Sequence, residues 1–199
     1  MRNDRQTRAA CAQFQTREEE NAPHISGYFS VFGDVYEIAP GMTESFAAGA
    51  FTEAISGDIR ALVNHDSTLV LGRSKAGTMV LKEDSHGLWA DITINREDRA
   101  AMDLYERVKR GDVDQCSIGF DILEEDTDYR EDGSVHWTIR RVKLYEVSAC
   151  TFPAYTETNI SARTAQREQL RGARLDAWKN RMKGVLHNGT ESAAAETRH

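Results

Sequence analysis

Long apolar runs are missing from this 199-residue chain. No stretch approaches the ~20 apolar residues that a membrane span needs, which argues against a transmembrane protein. An apolar h-region is missing too: the chain opens Met1-Arg2-Asn3-Asp4-Arg5-Gln6 and continues polar, so no secretory signal is expected. Cysteine is scarce. Cys11, Cys116 and Cys150 are too scattered for a disulfide scaffold, and none stands in a Cys-x-x-Cys pair that would suggest zinc. A reducing cytoplasm suits such a chain, and neither a metal nor an organic cofactor is implied. Basic charge is scarce in the body, where residues 1–160 carry 17 Lys and Arg against 28 Asp and Glu, a net -11. That surface is a poor match for phosphate backbones, so no nucleic-acid partner is expected. Residues 161–199 reverse the balance with 8 against 4, a net +4.

What is present, 40% hydrophobic and 29% charged residues, is the make-up of an ordinary soluble domain. Residues 1–24, rich in Arg, Gln and Glu, offer little to bury and predict a mobile arm. From Ser26 the pattern turns to period two, with Tyr28, Ser30 and Phe32 alternating with Phe29 and Val31, which predicts a strand. Phe46, Ala50, Phe51, Ala54 and Ile55 predict a short helix over Ser45–Ile55, stopped by Gly57. Strands follow at 59–63, 68–73, 78–82 and 88–94. Asn95, with Asp98 three residues on, predicts the cap of a helix running to Arg110 and closed by Gly111. Further strands read at 115–123, 135–139 and 142–151. Many short strands with few helices predict a mainly β fold with flanking helices (α+β), its sheet closed or barrel-like, over residues 25–160. Residues 161–187 read as an amphipathic helix with Leu175, Trp178, Met182 and Val185 on one face, and residues 188–199 as a disordered tail.

Three spots join reactive side chains to strand context. His65 ends the apolar run Leu62-Val63-Asn64, Ser117 stands in Gln115-Cys116-Ser117-Ile118-Gly119-Phe120, and Glu146 opens a small, apolar strand. A lone strand serine or strand-end histidine is usually structural. The serine is not in Gly-x-Ser-x-Gly and lies on a helix-to-strand passage, which excludes a nucleophile elbow. A glutamate entering an apolar strand needs a partner, because an unpaired buried charge is expensive, and an imidazole is a natural one. Together Ser117, His65 and Glu146 supply nucleophile, base and orienter for acyl transfer. Asp66 would point away from this group, Cys116 would face opposite Ser117, and His24, His86 and His136 read as surface residues.

The segments Asn64-His65-Asp66 with Leu71-Gly72-Arg73, Ser117-Ile118-Gly119-Phe120, and Glu146-Val147-Ser148 with Phe152-Pro153-Ala154 resemble those of tailed-bacteriophage prohead serine proteases. Pro40-Gly41 and Gly49-Ala50-Phe51 resemble the family's opening region, so the likeness covers about residues 26–160. It implies a fold akin to the herpesvirus assembly proteases, which place a histidine where this chain has Glu146. It also implies a homo-oligomeric endopeptidase in the host cytoplasm, inside the assembling prohead, cleaving the capsid precursor or scaffolding protein and itself. Two other readings stay open: an inactive assembly or scaffolding protein on the same fold, and a cysteine hydrolase pairing Cys150 with His65.

Overall fold

The computed structural model describes residues 6–11, 14–19, 22–152 and 157–196. The described residues form eleven strands and two α-helices: β1 (Gln6–Cys11), β2 (Gln15–Glu19), β3 (Ala22–Val31), β4 (Tyr36–Ala39), β5 (Met42–Phe46), β6 (Arg60–Val63), β7 (Asp66–Arg73), β8 (Met79–Glu83), β9 (Gly87–Thr93), α1 (Arg99–Arg110), β10 (Gln115–Tyr129), β11 (Val135–Cys150) and α2 (Glu157–Glu196). They build two open sheets. One has seven strands, with β1-β10-β11-β5-β4 as its spine and β6-β7 attached to β11; the other runs β2-β3-β9-β8. Neither closes on itself, so the barrel expected from the sequence is replaced by two facing layers.

β11 organises the larger sheet. It pairs antiparallel with β10 along its length, and parallel with β5 through Val135–Ile139 and with β6 through Glu146–Ala149. The apolar core includes Ile25, Phe29 and Ile92 of the small sheet, Ile118, Phe120 and Val147 of the large one, and Leu104 and Tyr105 of α1. Alternation then places Ser117 and Gly119 of β10, with Glu146, Ser148 and Cys150 of β11, on the opposite face.

Local chemistry explains where expectation and structure part. Helix α1 begins three residues later than expected, because Asp98 rather than Asn95 accepts the amides of Ala100 and Ala101. The helix expected over 45–55 is absent: β5 runs to Phe46, and turns lead to a 3-10 turn at Ala54–Ser56. Gly49, at φ +91°, breaks any helix there, and the apolar spacing instead buries Phe46 and Phe51 against each other. The runs expected at 135–139 and 142–151 are one strand.

The arm expected at 1–24 holds β1, β2 and the start of β3. Arg8, which reads as a solvent residue, is buried beside Glu44, and Glu44 also receives Arg163 of α2 at 2.7 Å. Burial alone would raise the Glu44 pKa; Arg8 and Arg163 reverse this and hold it below the ordinary value. Arg163 also lies over the Trp137 ring, 4.5 Å from its centroid. Helix α2 is thus docked by its first turns, through Arg163, Arg167 to the Gly133 carbonyl, and Leu170 on the Met42–Val135–Trp137 cluster. It continues to Glu196, into the segment expected to be disordered.

Candidate active site

β6 delivers its last residues to a left-handed turn, with Asn64 at φ 50° and His65 at φ 62°. Side chains in that region cost roughly 1–2 kcal/mol each, so the turn needs outside support. The Asn64 amide donates to the Ala149 carbonyl at 3.0 Å, and its Oδ1 accepts the Thr151 amide at 3.0 Å. The His65 amide donates to Ser148 Oγ at 3.2 Å. These bonds fold His65 back over β11.

There its Nδ1 lies 2.6 Å from Glu146 Oε1. The second carboxylate oxygen accepts the Ser148 hydroxyl at 2.6 Å. Glu146 is 3% exposed, and with both oxygens engaged its charge is compensated. Burial disfavours the imidazolium, but the neighbouring Cys150 thiol and the Glu146 carboxylate outweigh it and raise the His65 pKa to about 9. The carboxylate is the stronger influence physically, since a thiol sulfur is a weak acceptor. The Cys150 thiol itself donates to the Ser148 carbonyl at 3.8 Å.

Ser117 sits opposite Ser148 on the adjoining strand. Its hydroxyl is buried with no hydrogen-bond partner, and the same holds for His65 Nε2. The structure therefore joins His65 to Glu146 and sets Ser117 on the same sheet face, without a hydrogen bond between Ser117 and His65. Two orphaned polar atoms in one site are unusual, because buried polar groups are normally paired.

Gly119 makes the arrangement possible. It pairs with Glu146, and a Cβ there would fall 2.3 Å from Glu146 Oε1. Sequence reasoning missed the roles of Gly119 and Ser148, although each lies two residues from a singled-out residue. A glycine inside a strand marks a close approach. Other expected positions resolve otherwise. Asp66 accepts the Thr68 amide and hydroxyl, and Cys116 is buried toward the Tyr28 and Phe29 carbonyls. His24 meets Asp91 at 3.3 Å and His136 bonds Thr43 and Ser45, so both are half-buried rather than surface residues.

A half-buried imidazole oriented by a carboxylate, on the sheet face of a strand serine, is an arrangement suited to acyl transfer. Residues 12–171 match the family model of the caudovirus prohead serine proteases, and the chain belongs to that family. It is 26% identical over 140 residues to the prohead protease of Enterobacteria phage HK97, a match covering 68% of this chain. The matched region spans 60% of that relative's length. A fold likeness to the bacteriophage T4 capsid assembly protease covers 76% of this chain and 100% of that one, with 10% identity and a TM-score of 0.47.

Proposed function

We propose that the protein is a serine endopeptidase of phage head assembly in which Ser117 is the nucleophile, His65 the general base and Glu146 its orienter. The observation that carries this reading is the 2.6 Å contact between Glu146 and His65 Nδ1, which leaves Nε2 unpaired over the face bearing the Ser117 hydroxyl. Ser117 Oγ would attack the scissile carbonyl as its proton passes to Nε2. His65 would then protonate the leaving amine, and water would hydrolyse the acyl-enzyme by the same relay. Glu146 holds the tautomer with hydrogen on Nδ1 and stabilises the imidazolium that forms.

The substrates of this reading are the capsid precursor or scaffolding protein, and the protease itself, within the prohead in the host cytoplasm. Leu175, Trp178 and Met182 remain exposed on α2, which supports the self-association expected of the chain. The test is incubation with the cognate capsid precursor. Wild type should cleave it, and a folded Ser117→Ala protein should lose on the order of 10⁴-fold or more in rate. Near-wild-type cleavage by that variant refutes the assignment, and no cleavage by either favours the scaffolding reading. The Cys150 thiol, one alternation from Ser148 on the face that bears Glu146, supports one further reading, a thiol nucleophile. Inactivation by iodoacetamide but not by a serine-directed phosphonate would select it.

A further inference from the structure

β10, the strand that carries Ser117, would be one margin of the large sheet were it not for β1. β1 pairs with it antiparallel from Gln6↔Phe120 to Cys11↔Gln115, and Ala9 falls opposite Ser117. His65 reaches the site from the other side, over β11. A peptide laid along the β10 margin would therefore meet Ser117 from the side away from the base, as attack requires. β1 lies where such a peptide would lie.

Resting on the protease reading, we infer that the β10 margin is the substrate-strand site, taking an extended peptide by antiparallel strand addition. β1 is its occupant in cis, and it masks the nucleophile. Three observations support a displaceable occupant rather than a fixed part of the sheet. The family match begins at residue 12, after β1 ends. β1 leaves polar atoms unsatisfied on both strands, since Thr7 Oγ1 and Ser117 Oγ are buried without partners. Its main anchor is duplicated: when Arg8 departs, Glu44 keeps Arg163 at 2.7 Å, so no buried carboxylate is stranded. The register also specifies the ligand. A small residue, Ala9 in this chain, falls across from Ser117, and Thr7 across from Gly119.

The experiment compares the full chain, a chain lacking residues 1–11, and the full-length Ala9→Pro variant, whose proline removes a strand donor at the Ser117 register. Each is followed by peptide cleavage and by the rate at which a fluorophosphonate labels Ser117. An in-cis competitor lowers the competent fraction, so truncation should raise kcat/KM and labelling roughly tenfold or more. Ala9→Pro should raise both less, and a synthetic peptide of residues 4–13 should inhibit the truncated form competitively. Equal labelling and cleavage in the full chain and either folded variant overturns the inference while leaving the protease reading intact. If truncation prevents folding, Ala9→Pro decides, with the peptide of residues 4–13 then expected to inhibit that variant competitively. If Ser117 is labelled in no form, the protease reading fails instead, and this inference with it.

Discussion

Replacing Glu146 by Gln removes a charge and little else, because the amide fills the same volume and can still accept from His65 Nδ1 and contact Ser148. The paired carboxylate helps to lift the His65 pKa to about 9. A base with that pKa is only ~1% neutral at pH 7, whereas one at the ordinary 6.5 is ~75% neutral. In wild type, kcat/KM should thus rise about tenfold per pH unit up to a midpoint near 9. In the variant the limb should move down toward 6.5. The plateau should fall at the same time, by ~10²–10⁴, since no carboxylate stabilises the developing imidazolium. The two effects oppose each other, so the handicap is largest above pH 9 and smallest below the ordinary 6.5. Pre-steady-state cleavage of one peptide from pH 5.5 to 10, with NMR titration of the His65 ring, reads both. Coincident midpoints in wild type and variant would refute the argument that the carboxylate sets the base.

Gly119→Ala should cost about 10² in activity by displacing the Glu146 carboxylate, and should lower the pH midpoint, which a purely structural defect would not do. Cys150→Ala should retain cleavage and phosphonate labelling, whereas loss of cleavage in a folded variant, with no phosphonate labelling of the wild type, would point to the thiol. Glu44→Ala leaves buried Arg8 without a carboxylate, while Arg163 keeps Glu125 at 2.7 Å, and should lower stability by about 3 kcal/mol in urea unfolding. Because the Glu44 pKa is depressed, its contribution is full above the ordinary 4.5 and is lost as pH falls through the lower folded value. Truncation after Ala162 should destabilise the protein by removing Arg163, whereas truncation after Arg174 should leave its melting temperature nearly unchanged.

The strands around His65 and Ser117 were legible because alternation and turn residues report directly on local structure. α1 was legible for the same reason, down to its closing Gly111. β1 and α2 docking were not, since nothing in the local pattern of Arg8 or Arg163 reveals that both meet one glutamate on β5. Sheet closure failed as an expectation for a similar reason: strand count constrains topology weakly, and β11 takes partners from three separate stretches of chain. Within the site, the residue types were readable but the supports were not. The Ser148 hydroxyl bridging Glu146 to the His65 amide, and the close approach of the Glu146 carboxylate to Gly119, exist only once β10 and β11 are in register.

That same partnering of β11 bears on how the molecule wears out. Glu146 and Ser148 are flanked on both sides, by β10 and by β6, so their amides cannot be released by fraying of an edge. Strands so enclosed open with the molecule as a whole, and their exchange with deuterated solvent should track global unfolding. β1, held along one side, should exchange far sooner. Heat should therefore inactivate the protein along its unfolding curve, with no warm, partly opened species in which His65 and Glu146 have separated while the sheets persist.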